Sequence, residues 1–261
     1  MTPTALLAHY DSAQLWPTAS GLDVPSAYQR ALQVRALRVA RGEQPRGYKI
    51  GFTNRSIWPR YNVFAPIWGT VYSSTLQFCQ EQGSIALAGL CQPRIEPETV
   101  FGLRAAPPAH ATLDDLFACI DWLAPGFEIV QSHQADWKFA AADTIADGGL
   151  HARLLVGQKL PVRELAASAQ ALCARLAATQ VRLSQDAKVV DSGAGAAVLD
   201  DPLHALLHFA NELSQCPGAP RLQSGDVITT GTWTDAWPVK EGQTWAADFD
   251  APLARLELAF I

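Results

Sequence analysis

No cluster of lysines and arginines interrupts this chain of 261 residues, whose formal net charge is −5. A nucleic acid or another polyanion would therefore find no basic footprint on it. Charged residues make up only 17%, but hydrophobic residues reach 49%, so the scarcity of charge does not signal disorder. A chain this long and this apolar can bury a substantial core, as one large domain or two small ones. No apolar run approaches a membrane span. The N-terminus, Met1-Thr2-Pro3-Thr4-Ala5-Leu6-Leu7, lacks the basic region and the long apolar stretch of a signal peptide. Five cysteines, Cys79, Cys91, Cys119, Cys173 and Cys216, form no Cys-x-x-Cys pair, which argues against a zinc knuckle or a disulfide framework. A reducing cytoplasm is the expected setting.

Several familiar signatures are also missing. Asp191-Ser192-Gly193-Ala194-Gly195 has two glycines of a dinucleotide fingerprint but not the third, and the next helix is announced only by Asp201-Pro202. Ser192 sits in no Gly-x-Ser-x-Gly elbow. His204 and His208 stand four apart without the glutamate of a His-Glu-x-x-His frame, so packing is their expected role.

What is present reads as mixed structure. Asp23-Val24-Pro25 opens a helix predicted to reach about Arg41, with Pro25 in its first turn and Gly42 as its stop. Residues 54–70 are aromatic and rich in proline and read as an irregular loop over a sheet. Strands are predicted near 69–76, 83–88 and 94–103. Thr112, with Asp114 and Asp115 in the first turn, caps a helix predicted to run to about Leu123. Beyond a strand around Glu128 come a helix at 162–177, a hairpin of Gln180–Leu183 with Lys188–Asp191, and a helix from Pro202 to about Leu213. Strands at Asp226–Thr230, Thr244–Phe249 and Leu253–Phe260 close the chain. Helices dominate early and strands late, without regular alternation, so the class is α+β.

Chemistry concentrates in Arg94-Ile95-Glu96-Pro97-Glu98. Side chains alternate along an extended segment, so Glu96 and Glu98 share a face. Pro97 between them biases Glu96 toward extension. A third carboxylate, Glu128, lies in the apolar run Phe127-Glu128-Ile129-Val130, where an unpaired ionised group would be costly. Three carboxylates suit a hard divalent cation, magnesium or manganese rather than zinc. Solvated glutamates on exposed strand faces satisfy the same pattern. Lys49, in the glycine-bracketed run Gly47-Tyr48-Lys49-Ile50-Gly51, is either a snorkelling surface lysine or a group held close to a ligand.

Taken together, Gly47-Tyr48-Lys49-Ile50-Gly51-Phe52-Thr53, Pro93-Arg94-Ile95-Glu96-Pro97-Glu98, Phe127-Glu128-Ile129-Val130, Ala146-Asp147, Gly193 to Leu199 with Pro202-Leu203, and Ser224-Gly225-Asp226-Val227-Ile228 with Thr230-Gly231 resemble the 2-oxopentenoate hydratase / 4-oxalocrotonate decarboxylase group of the fumarylacetoacetate hydrolase superfamily. The resemblance runs from about Val24 to Phe260. It implies a mixed β-roll with flanking helices, a helical N-terminal segment and flap over residues 1–75, and a catalytic β domain over 76–261, all as one compact unit. It also implies Mg2+ or Mn2+ on Glu96, Glu98 and Glu128, a catalytic Lys49, and substrate contacts at Ile67, Trp68, Lys138, Thr230 and Gly231. The implied ligand is a small 2-oxo acid, in a homo-oligomer that can associate with a pathway partner enzyme.

Two departures bear on the reaction. Hydratases of the group carry an acid in a Pro-Asp-Phe-Gly-like stretch; here Pro66-Ile67-Trp68-Gly69 puts an isoleucine there, which transfers no proton. The decarboxylase branch is similar in reading Pro-Ile-Tyr-Gly, and Trp137-Lys138-Phe139 resembles its Phe-Lys-Phe. Asp147-Gly148-Gly149-Leu150-His151 stands where the group usually reads Asp-Asn-Ala-Ser-Ser. The resemblance therefore implies a metal-dependent lyase that decarboxylates a 2-oxohex-3-enedioate-like acid through an enolate. The alternatives are hydration of a 2-hydroxypenta-2,4-dienoate-like acid, an acylpyruvate hydrolase, for which no histidine lies between His9 and His110, and a non-catalytic partner subunit. A second anion-binding group opposite Lys49 would favour a dicarboxylate, and an apolar wall a monocarboxylate.

Overall fold

A computed structural model describes all 261 residues, the side chain of Tyr61 excepted. Two helices come first, α1 (Pro3–Ser12) and α2 (Val24–Ala40). α2 starts where Asp23 accepts the Ser26 amide at 2.9 Å, and Pro25 loses nothing in a first turn whose amides have no helical acceptor. Strand β1 (Pro45–Gly51), a short helix α3 (Trp58–Tyr61), and strands β2 (Ile67–Tyr72), β3 (Leu76–Phe78), β4 (Gln82–Ile85) and β5 (Arg94–Leu103) follow. The stretch predicted as a loop over 54–70 thus ends as the start of a sheet strand.

Helix α4 (Leu113–Cys119) leads directly into β6 (Ile120–Val130). Its Thr112–Asp115 capping box forms as the residues predict, but the helix stops at Cys119 rather than near Leu123. The reason is pairing: Ile120 lies opposite Leu103 and Trp122 opposite Gly102 in a long antiparallel ladder with β5. Ladder formation overrides the local helix signal. Then come α5 (Ala141–Ala146), β7 (His151–Val156), β8 (Leu160–Pro161), α6 (Val162–Leu165) and α7 (Ala169–Ala178). The remainder is β9 (Gln180–Gln185), β10 (Lys188–Ala194), α8 (Pro202–Gln215), β11 (Val227–Thr229), β12 (Trp237–Pro238), β13 (Thr244–Phe249) and β14 (Leu256–Phe260).

The strands form two sheets. The larger has the order β2-β1-β11-β5-β6-β7-β3, with β12 and β8 attached to β5 and β6, and the smaller the order β10-β9-β13-β14-β4. β11, from the last quarter of the chain, inserts between β1 (parallel) and β5 (antiparallel). That insertion brings Lys49 beside Thr229, one strand from β5. Helices α4, α7 and α8 pack over the main core, which includes Phe101, Phe127, Phe209, Trp233 and Trp245. A separate apolar cluster under α1, α2 and α5 joins Leu6, Trp16, Ala27, Ile67 and Ile145. The fold is α+β, and the first 75 residues supply both the outer helices and two strands of the large sheet. Among the described residues no helix is long and apolar enough to cross a membrane.

Candidate metal centre and its cavity

The β5–β6 register places Glu96 directly opposite Glu128, and Glu98 opposite Gly126. Alternation along β5 keeps Glu98 on the face of Glu96. The three carboxylates therefore converge, with one oxygen of each within 4.8 Å of the others. Glu98 and Glu128 are fully buried and Glu96 half-buried. Lys49, 2% exposed, reaches across from β1 and sets its Nζ 3.0 Å from Glu128 Oε2. Glu98 Oε2 accepts the Thr229 hydroxyl and, at 2.6 Å, the Gly231 amide. Gly231 has φ 103°, and a Cβ there would lie 1.8 Å from Thr53 Oγ1, so only glycine can offer its amide in this position. On the far side, His151 Nδ1 lies 2.8 Å from Glu128 Oε1.

Three carboxylates against one ammonium leave an excess of negative charge in a dry place. Burial, reinforced by Glu128 and Glu96, holds the Glu98 carboxyl well above its usual range. Burial also raises Glu96, to about 7, with Lys49 opposing and Glu128 adding to the shift. For Glu128 the burial effect is outweighed by Lys49 and His151, and its carboxyl titrates below normal. Lys49 is held charged in the same way, its burial overcome by Glu128, Glu96 and Glu98. Glu98 Oε1 is buried and has no hydrogen-bond partner. An orphaned oxygen beside two unneutralised carboxylates is the donor set that a hard cation satisfies, so these residues fit the implied divalent metal.

The centre opens on a narrow cavity of about 30 Å³, whose lining joins Lys49 and Glu96 to Phe52, Ile57, Trp137 and Phe139. Among its described lining residues Lys49 is the one cation, and Glu96 and Asp235 are the acids. Ile67, predicted to contact substrate, is not among that lining; buried with Leu6, Trp16 and Ala27, it flanks Gly51 on the side that Lys49 also approaches, where a Cβ would lie 3.2 Å from Nζ and 3.4 Å from Ile67 Cγ1. Trp68 does not join it. The next residue on β2, it points to the other face and stacks on Tyr28 at 4.6 Å within the core around Tyr48 and Phe209. Lys138 is exposed and lies 3.6 Å from Asp136, away from the carboxylates. Thr230 is buried and ties its hydroxyl to the Thr99 carbonyl at 2.9 Å, a backbone brace next to Gly231. Four contributors escaped the sequence: Thr229, Thr53, Thr75 and His151. Two left a trace, Thr53 as the last residue of the Gly47-to-Thr53 motif and His151 as an odd histidine in a stretch where the group carries serine.

No family model matches the sequence. Individual relatives do. The 2-hydroxyhexa-2,4-dienoate hydratase of Comamonas testosteroni is 32% identical over 222 residues, 85% of this chain and 80% of that protein. A 4-oxalocrotonate decarboxylase from a Pseudomonas species is 29% identical over 88% of this chain and 86% of its own. The chain belongs to the 2-oxopentenoate hydratase / 4-oxalocrotonate decarboxylase group of the fumarylacetoacetate hydrolase superfamily. The fold of this group is seen in the 4-oxalocrotonate decarboxylase from Pseudomonas putida G7, solved with magnesium and adipate, which superposes with a TM-score of 0.88 at 24% identity over 99% of this chain and 95% of that one. A more distant superfamily member, the fumarylpyruvate hydrolase of Pseudomonas aeruginosa solved with Mn2+ and pyruvate, gives a TM-score of 0.59 at 11% identity over 84% of this chain and 90% of that one.

Proposed function

We propose that this protein is a divalent-metal-dependent lyase for unsaturated 2-oxo acids, and that its reaction is decarboxylation of a 2-oxohex-3-enedioate-like substrate. Mg2+ or Mn2+, held by Glu96, Glu98 and Glu128, would supply a Lewis acid for the 2-oxo acid end. Lys49, buried and held charged, orients the substrate carboxylate and offers its ammonium to charge that develops on the 2-oxo oxygen. The bond to the distal carboxylate then breaks. Its electron pair moves through the conjugated chain to the 2-oxo oxygen, carbon dioxide leaves, and a proton is taken up at that oxygen to give the dienol. The aromatic walls exclude water from the leaving carboxylate, whose charge disperses as the bond breaks.

The observation that carries the choice of decarboxylation is Ile67 beside the Lys49 ammonium. An acid there could deliver a proton or hold a water; an isoleucine does neither. Hydration of a monocarboxylate is the second reading, favoured by the cavity walls, which offer no second cation for a distal carboxylate among the described lining residues. The hydrolase alternative wants a glutamate–histidine pair facing the substrate, and His151 instead lies behind Glu128, against a different cavity.

The test is purified protein with Mg2+ and a 2-oxohexenedioate, followed by carbon dioxide release. Release that disappears in Glu96→Gln is the expected result. Loss of the absorbance of 2-hydroxypentadienoate with no carbon dioxide from the diacid would replace decarboxylation with hydration. Inertness toward both would leave the partner-subunit reading.

A further inference from the structure

Glu128 is gripped on both oxygens. Lys49 pulls on Oε2 at 3.0 Å and His151 Nδ1 holds Oε1 at 2.8 Å. An ionised carboxylate only accepts hydrogen bonds, so the His151 proton sits on Nδ1 and the lone pair on Nε2. That lone pair faces the Thr75 hydroxyl at 2.9 Å. Thr75 is itself buried and fixed, its oxygen accepting the Tyr72 amide at 3.1 Å, which leaves the hydroxyl hydrogen for the imidazole or the Tyr72 carbonyl. The result is an unbroken line, Thr75 to His151 to Glu128, drawn from β7 and from the turn after β2.

We propose that His151, backed by Thr75, is a positioning residue for Glu128: it anchors one oxygen from behind so that the other stays aimed at a cation shared with Glu96 and Glu98. Without it, Oε1 loses its anchor, and a carboxylate tethered only by the Lys49 ammonium at Oε2 is free to turn about its own torsions, so that neither oxygen is fixed toward the ion. The stretch Asp147-Gly148-Gly149-Leu150-His151, which departs from the pattern of the group, thereby acquires a use of its own. The proposal rests on the metal-centre reading above.

The experiment uses the full chain stripped with EDTA and titrated with Mn2+ alone, free ion being read by electron paramagnetic resonance, with thermal unfolding of each variant alongside. Loss of an outer-shell partner of a metal ligand costs roughly 10–100-fold in affinity, and that loss is expected for His151→Leu. His151→Asn, whose amide N–H can stand in for Nδ1–H, is expected to recover most of it at an unfolding midpoint no higher than that of the leucine variant. Thr75→Val is expected to weaken Mn2+ binding in the same direction by less. A folded His151→Leu that binds Mn2+ like the wild type, or an asparagine variant as weak as the leucine one, overturns the proposal. Should His151→Leu not fold, Thr75→Val decides, and unchanged affinity there overturns it. Wild-type protein that takes up no Mn2+, or Glu96→Gln that binds it normally, removes the metal centre and the positioning role together.

Discussion

Among the described residues, two places gather three side chains of metal-ligand type: Glu96, Glu98 and Glu128 in the sheet, and Asp201 and His204 at the start of α8 with Cys173 of α7. They differ in what is left over. Asp201 has both oxygens engaged, Oδ1 by the amides of Leu203 and His204 at 2.8 and 3.1 Å and Oδ2 by His204 Nδ1 at 2.5 Å. Burial, with Asp201 adding to it, pushes the Cys173 thiol up to about 12, so no thiolate is on offer. That cluster is a finished helix cap. The glutamate cluster instead keeps an orphaned buried oxygen and more negative charge than Lys49 can balance. Proximity of ligand atoms therefore says little; unmet electrostatic demand in a dry place says much more.

The sharpest way to break the contrast is Lys49→Met, which deletes the buried ammonium paired with Glu128. Removing one member of a buried ion pair destabilises by about 3–5 kcal/mol. Metal-free protein should lose stability of that order in chemical denaturation, and saturating Mn2+ should restore part of it. Equal losses with and without Mn2+ would mean that no ion shares the job of Lys49.

A smaller effect is a drift with pH. Glu96 and Glu98 titrate above their ordinary range in the fold, Glu96 near 7. Between about pH 5 and 7 the native protein thus holds protons that the unfolded chain has released, and its stability falls as pH rises through that window. His151, whose burial holds it neutral, adds the opposite slope, so the trend is read as a difference: the midpoint of metal-free wild type relative to that of Glu98→Gln should decline over this range, and Mn2+, which replaces those protons, should flatten or reverse the decline. A difference that rises with pH in EDTA would contradict the charge excess.

The smallest effect belongs to the other cluster. Asp201→Ala removes a helix cap and should cost about 1 kcal/mol. Mn2+ affinity should not change, and a change would mean that the two clusters communicate.

Much of the centre was readable because its cause is local. Alternation across Pro97 puts Glu96 and Glu98 on one face, and the apolar neighbours of Glu128 make a lone carboxylate there improbable. What joined them was not local: the register that sets Glu96 against Glu128, and the insertion of β11 that delivers Thr229 and Gly231 to Glu98. Ile67 and Trp68 show a signal that was present but masked. Consecutive residues on a strand point to opposite faces, so the two cannot line one cavity. Reading residues 54–70 as loop hid that rule, since the aromatic and proline content outweighed the short run of β2. The end of α4 is the reverse case, a correct local signal cut short by a better distant partner.

Gly231 carries a last consequence. Its amide holds Glu98, and a main-chain N–H survives every substitution except proline, while steric conflict with Thr53 keeps other residues out. Glu128, by contrast, is held by the side chains of Lys49 and His151. Sequence drift can therefore replace every donor to Glu128, whereas Glu98 can lose the Thr229 hydroxyl but keeps the Gly231 amide. A library seeking altered reactivity from this scaffold should find its adjustable positions around Glu128, with one grip on Glu98 inherited from the backbone.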